Sequence, residues 1–141
     1  MGTQQILLIV LSVIIVGIAV AVGITMFNAQ ASNSNRQALV GDLNNFAASA
    51  LAFYKTPATH GGGGNAWTSE VDNVGQWLGY GYTASSNTLT TGNGSYVLSV
   101  SSDVLTIVGT GNEQGNDGST NVKSTITITG STSAISTTIN N

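Results

Sequence analysis

The sequence contains no cysteine, a single proline and very few charged residues among its 141 positions. The absence of cysteine excludes disulfide bridges and metal sites built on thiolates. Charged residues make up 6% of the chain, about a quarter of the usual share. Only three of them are Lys or Arg, whereas a nucleic-acid interface requires clustered basic side chains. The composition therefore predicts no nucleic-acid partner.

The side chains that build catalytic and metal sites are equally scarce. His60 is the only histidine, and the six carboxylates are scattered along the chain. One histidine without cysteine or clustered carboxylates is a poor metal site. The polar loop 111–118 carries Glu113 and Asp117 but lacks the alternating Asp and Asn of a calcium loop, so an ordinary turn is predicted, with calcium binding as the alternative. We expect no enzyme activity, no metal and no cofactor.

The longest hydrophobic stretch extends from Ile6 to Phe27, where only Ser12 and Thr25 carry polar side-chain atoms. No charged residue precedes Arg36. About 20 apolar residues at ~1.5 Å each would cross a bilayer core of ~30 Å, and a helix satisfies its own backbone groups there. The stretch therefore predicts an apolar helix that lies in a membrane or in a protein core.

Two common explanations of such a stretch fit poorly. A secretory signal would show basic residues before a shorter apolar run, although Ala29-Gln30-Ala31 has the form of a cleavage site. A plain single-pass anchor would normally carry Lys or Arg beside one end of the span. Both remain as alternatives to a helix that packs against other helices.

Small residues recur within the apolar stretch. Gly17 with Ala21, and Ala19 with Gly23, are pairs spaced by four residues. Such pairs allow two helix backbones to approach closely. The alternative is that Gly and Ala are simply common in membrane helices.

The helix pattern changes after Ser32-Asn33-Ser34-Asn35, from apolar on all sides to apolar on one side. These four residues are poor helix formers, so the helix either breaks there or meets water there. Pro57 predicts that the helix stops at Lys55-Thr56. We therefore expect one mostly continuous helix over residues 1 to about 54. Its apolar stripe should pack on Leu or Ile side chains of a sheet through Leu43, Phe46, Ala50 and Phe53.

The second half alternates apolar and polar residues in segments separated by turns, which predicts an antiparallel sheet covered on one face. The predicted strands are 96–100, 104–108, 123–129 and 133–139. Ile126 and Ile128, and then Ile135 and Ile139, are expected on the covered face. Trp67, Trp77, Tyr80 and Tyr82 are expected to fill the seam between helix and sheet.

Between helix and sheet, the sequence predicts a flexible connector at Gly61–Gly64 and a short helix between Trp67 and Gly79. Asn93-Gly94-Ser95 has the form of a glycosylation sequon, but a turn is favoured. The predicted fold is α+β. Residues 1–30 form an apolar helix, 31–56 an amphipathic helix that enters the domain, and 57–141 a globular β-rich domain.

An apolar N-terminal helix without a basic leader, continuing into an amphipathic helix and a small antiparallel sheet, resembles the type IV pilin family. In that family the resemblance implies Met1 as the processed, often methylated, terminus and Ile6–Val10 as the start of the apolar run. Gln5 stands where a glutamate is usual, so it cannot pair ionically with a neighbour's N-terminal amine. The proline of many bacterial members is absent, with Val22 and Gly23 in its region. Archaeal pilins and archaellins share the helix.

The resemblance implies the major subunit of an extracellular filament on the cell surface. The chain would be held in the inner membrane before the pilus assembly machinery builds it into a homo-oligomer. The alternatives are a pseudopilin or minor pilin of a secretion or uptake machine, and a single-pass membrane-anchored binding module. The residues expected in assembly contacts are Met1, Gln5, Gly17, Ala21 and Gly23.

Overall fold

The protein is an α+β fold in which one long helix packs on one antiparallel sheet, as predicted. The computed structural model describes residues 2–67 and 71–141. The five strands are hydrogen-bonded in chain order, β1-β2-β3-β4-β5. The elements are α1 (Gly2–Lys55), α2 (Val71–Leu78), β1 (Thr88–Thr91), β2 (Gly94–Ser101), β3 (Val104–Gln114), β4 (Asn121–Thr129) and β5 (Ala134–Ile139), with 3₁₀ turns at Ala58–His60 and Ala84–Ser86.

Helix α1 continues without interruption through Ser32–Asn35. This confirms the single predicted helix over the described residues; Met1 lies outside them. The helix ends at Lys55, two residues before Pro57, because proline disfavours helical geometry in the residue before it. The short helix predicted between Trp67 and Gly79 is α2, and residues 68–70 of that prediction lie outside the described part of the chain.

The glycine run after α1 is a hydrogen-bonded loop rather than the flexible connector that was predicted. The N–H of Gly63 donates to the carbonyl of Phe53 at 2.8 Å, and the N–H of Asn65 donates to that of Tyr54 at 2.8 Å. These carbonyls belong to the last turn of α1, where intrahelical donors run out. A Cβ on Gly63 would lie 2.3 Å from the carbonyl oxygen of Ala66, so the loop requires glycine there.

The core lies between the second half of α1 and the inner face of β2, β3 and β4. Phe46 is 2% exposed, and its ring meets those of Tyr96 and Tyr80 edge-on, with centroids 4.8 and 5.2 Å apart. Such pairs add specific geometry to the apolar burial. The predicted core residues Leu43, Phe46, Ala50 and Phe53 are all buried, in one cluster with Leu98, Leu105, Ile107, Ile126 and Ile128.

The predicted seam is confirmed in part, and one prediction about the sheet is wrong. Trp67 is buried and Tyr82 packs against the core, whereas Trp77 and Tyr80 meet the rings of Phe53 and Phe46 but are 41% and 56% exposed. Ile135 and Ile139 share the face of Ile128 and Ser124, their register partners, yet they are 45% and 57% exposed. The physical reason is placement, since α1 packs on β3 and β4 and leaves β5 uncovered. Strand β1 was not predicted, because Thr88–Thr91 contributes a single buried side chain.

Candidate assembly surface

The first half of α1 is not covered by any other element among the described residues. Every residue from Gly2 to Gln30 is exposed, and the large apolar side chains range from 49% exposed at Val10 to 74% at Phe27. By length and composition α1 is able to cross a membrane, with a mean hydropathy of 3.2 over its most apolar 18 residues and none of that window buried. We call Ile6–Phe27 the apolar half of α1.

The hydroxyl groups of the apolar half bond to the helix itself. Ser12 Oγ donates to the carbonyl of Leu8 at 2.8 Å, and Thr25 Oγ1 donates to that of Ala21 at 3.0 Å. Ser and Thr commonly satisfy themselves in this way within helices. Moving this surface into an apolar environment therefore leaves no side-chain donor without a partner, which removes a penalty of about 1–3 kcal/mol per group.

The small residues leave open space on two sides of the helix. A Cβ on Gly17 or Gly23 would meet no atom within 4 Å. At about 100° per residue, the pair Gly17/Ala21 and the pair Ala19/Gly23 are centred about 160° apart around the axis. Two neighbouring helices can thus approach closely from nearly opposite sides. Gln5 is exposed at the start of the same surface.

The helix changes from exposed to packed at a polar joint. Asn35 Oδ1 accepts the N–H groups of Asn112 at 3.1 Å and Glu113 at 3.3 Å, and Asn35 Nδ2 donates to the carbonyl of Asn93 at 3.0 Å. Its side chain thereby links α1 to β3 and to the turn between β1 and β2. Sequence reasoning missed this role, although a poor helix former held inside a continuous helix was the available signal.

Arg36 extends the joint to the loop between β3 and β4. One guanidinium nitrogen donates to Asn33 Oδ1 at 2.8 Å and another donates to Asn116 Oδ1 at 3.0 Å. Nε donates to the carbonyl of Asn141 at 3.3 Å. The first charged residue of the chain is therefore used to hold the helix against the domain.

A carboxylate on α1 binds the turn between β1 and β2. Asp42 Oδ2 accepts the hydroxyl of Tyr96 at 2.6 Å, the amide of Asn93 at 2.9 Å and the hydroxyl of Thr91 at 3.2 Å. Burial raises the pKa of the Tyr96 phenol, and its hydrogen bond to Asp42 raises it further. The predicted turn at Asn93 is confirmed, and its side-chain amide is engaged inside the fold.

A second carboxylate ties the far end of α1 to two turns of the sheet. Asp103 accepts the Tyr54 hydroxyl at 3.1 Å and the Ser131 N–H at 3.0 Å, and its carbonyl accepts the Trp67 indole at 2.9 Å. The hydrogen bonds from Ser131 hold the pKa of Asp103 below its usual value. Together with the joint at Asn35, these contacts fix α1 on the sheet from both ends and leave the apolar half projecting.

Within residues 2–67 and 71–141, no group of three or more metal-ligating side chains comes together. Asp117 of the polar loop accepts the N–H groups of Ser119 and Thr120 at 3.0 and 2.9 Å, as in an ordinary Asx turn.

No family model matches the chain, and comparisons with curated proteins and with solved structures found no match. The projecting apolar half, combined with a firmly docked second half, is thus the observation from which a function is argued.

Proposed function

We propose that the chain is the structural subunit of an extracellular, pilus-like helical filament. In this filament the apolar halves of many copies pack against one another in the core, and the sheet domains lie outside. The observation that carries the proposal is that the apolar half is fully exposed on a chain whose remaining part is folded and packed.

The free energy of this surface favours association. Burying one large apolar side chain contributes about 1.5–3 kcal/mol, and the apolar half presents such residues on every side. A helix that is apolar all round belongs in a membrane or inside an assembly. We infer that it lies in the membrane before assembly and among copies of itself afterwards.

Two features support packing among copies. The small-residue pairs Gly17/Ala21 and Ala19/Gly23 face nearly opposite directions, so each helix can contact one neighbour on either side, and such head-to-tail contacts generate open filaments. A helix of 54 residues is also about 80 Å long, which allows one chain to overlap several neighbours.

The second candidate is a single-pass membrane-anchored module. It is favoured by the length and hydropathy of α1, which suit a bilayer span. The two candidates differ in the state of the purified chain. A filament subunit forms long polymers in detergent-free buffer, whereas an anchored monomer stays with vesicles or micelles.

The test is electron microscopy of the wild type beside Gly17→Leu, with Gly41→Leu as the matched control. Both glycines lie on exposed positions of α1 with open space around them, but Gly41 is in the domain-bearing half. We expect Gly17→Leu to block or distort filaments by overpacking the helix contact and Gly41→Leu to form them normally. Normal filaments from Gly17→Leu, or a wild type that forms none, would remove the proposal.

Gln5→Leu probes the start of the core. A buried amide needs a partner, which we propose to be the Met1 amine or the Thr3 hydroxyl of the same or a neighbouring subunit. Replacing the amide should destabilise filaments by about 1–3 kcal/mol per subunit, because its partner loses a hydrogen bond. The measurement is the denaturant concentration at which filaments dissociate, and an unchanged value would exclude a buried role for Gln5.

A further inference from the structure

The two edge strands of the sheet differ in how their outward main-chain groups are used. At β1 most of these groups are hydrogen-bonded within the chain itself. Thr83 and Thr88 exchange hydrogen bonds at 2.8 and 3.2 Å, and the N–H of Thr90 donates to the carbonyl of Tyr80 at 3.2 Å. Edge β1 is therefore closed to further strand pairing.

At β5 no strand or loop among residues 2–67 and 71–141 pairs with the outward edge. The N–H of Asn140 donates to the carbonyl of Lys123 at 2.8 Å, which fixes the phase of the β4–β5 ladder. Because antiparallel pairs alternate between bonded and non-bonded, the residues of β5 that bond to β4 are 134, 136 and 138. The main-chain groups of Ile135, Thr137 and Ile139 consequently point away from the sheet.

Along residues 134–139 this edge lacks the charged side chains and the proline that usually prevent strand addition; a bulge, in which Asn140 and Asn141 both face Lys123, follows just after the strand. All six residues of β5 are exposed, and residues 130–141 contain neither a charged side chain nor proline. Natural edge strands are typically protected by Lys, by proline, by a bulge or by a covering element. Ile135 and Ile139 are also exposed on the inner face of the same strand.

We propose that β5 pairs with β5 of a second copy, antiparallel and centred on Thr137. Residues that face each other across a ladder lie on the same side of the sheet. The allowed registers are therefore those in which Ile135, Thr137 and Ile139 of one copy face the same set of residues in the other copy. Centring on Thr137 overlaps nearly the whole strand and places Ile135 opposite Ile139 of the partner subunit. The edge then becomes continuous, and the isoleucines of both copies cover one another.

The occupant is a second copy because the segment is self-complementary. It is uncharged, so two copies meet without repulsion, and its two isoleucines lie at equal distances from Thr137. A head-to-tail sheet through β1 of another copy is excluded because β1 is closed. A two-fold contact of this kind cannot repeat along a filament whose subunits share one direction. This β5–β5 contact goes beyond the proposed function. In a sample of filaments, it would join neighbouring filaments that run in opposite directions.

Single cysteines test the pairing directly, since the chain has none of its own. In full-length protein dispersed in detergent, Thr137→Cys should shift to a covalent dimer with a short thiol cross-linker, because the two positions face each other at about 5.5 Å. Ala134→Cys, on the same exposed strand, is the control, because the two copies of that position are about 20 Å apart. A monomeric Thr137→Cys, or equal cross-linking of both variants, overturns the proposal.

Mixing two variants tests the register. Ile135→Cys and Ile139→Cys should each form no covalent dimer alone, because like positions lie too far apart, and should form a cross-linked dimer when mixed. If a neighbour's helix covers the isoleucines instead, mixing adds nothing to the cross-linking of either variant alone, and the proposal fails.

Proline separates strand pairing from folding. Thr137→Pro removes an outward N–H. When it is added to both the Ile135→Cys and the Ile139→Cys chains, mixing them should no longer give a cross-linked dimer. The near-ultraviolet circular dichroism of the domain should be retained. Thr138→Pro removes an N–H that bonds to β4 and should instead lower domain stability. Retention of the dimer by the Thr137→Pro chains would contradict main-chain pairing at β5.

Discussion

Phe27 and Phe46 lie on one uninterrupted helix but in opposite environments. Phe27 is 74% exposed in the apolar half, whereas Phe46 is 2% exposed beneath the sheet. Helix formation and helix burial are therefore separate outcomes in this protein. Backbone hydrogen bonds and the lack of proline keep α1 continuous, and what lies beside each half decides how its side chains contribute to stability.

Truncating phenylalanine in each half should give the largest difference between the two halves of α1. Phe46→Ala should lower the free energy of unfolding of the domain by about 3–5 kcal/mol, because it removes a buried ring and leaves a cavity. Phe27→Ala should leave this free energy unchanged. Denaturant titration of the full chain in detergent, followed by the fluorescence of its two tryptophans, Trp67 and Trp77, measures both. Equal losses would mean that the apolar half contributes to the domain core.

Asparagine allows a second matched test across the polar joint. Asn35→Ala removes the partners of two backbone N–H groups and one carbonyl, and should cost about 1–3 kcal/mol of domain stability. Asn28→Ala, at an exposed position of the same helix, should cost almost nothing. If the two variants unfold alike, the contacts of Asn35 are not needed to hold α1 on the sheet.

Glycine gives a third contrast. A Cβ on Gly130 would lie 2.1 Å from the buried Tyr54 ring, so Gly130→Ala should destabilise the domain by about 1–3 kcal/mol. Gly17→Ala meets nothing in its own chain and should strengthen the isolated helix by about 0.5–1 kcal/mol. Unfolding of the domain and helicity in detergent give the two values. A stable Gly130→Ala protein would show that Tyr54 can move aside.

The smallest expected effect is a pH response confined to the domain. The lowered pKa of Asp103 gives stability above its unfolded value of about 3.9, which is lost as the pH falls below it. Burial and a hydrogen bond to Asp72 raise the pKa of Tyr82 to about 12, so its contribution is lost as the pH rises from about 10 through 12.

The apolar half should not follow this pH profile, because none of the side chains before Arg36 is titratable. Domain unfolding and filament sedimentation, each measured from acid to alkaline pH, separate the two responses. Filaments that dissociate at a pH where the domain remains folded would contradict this expectation.

Much of the fold could be predicted because local pattern determines it. The long apolar run, the stripe through Phe46 and Phe53 and the position of Pro57 together predicted α1 to within a residue of its end at Lys55. The alternation around Ile126 and Ile128 predicted β4 and its buried face. In each case the periodicity of the chain itself states which side is apolar.

Other features follow only from the tertiary structure. Ile135 and Ile139 show the same alternation as Ile126 and Ile128, yet they are exposed, because α1 is not wide enough to cover the edge strand. The partners of Asn35, Asp42 and Asp103 are distant in sequence, so no local pattern indicates them. Local sequence pattern thus specifies which faces are apolar and where the helix ends. Which of those faces are covered depends on the packed fold, because covering a face requires a second element that the whole chain positions.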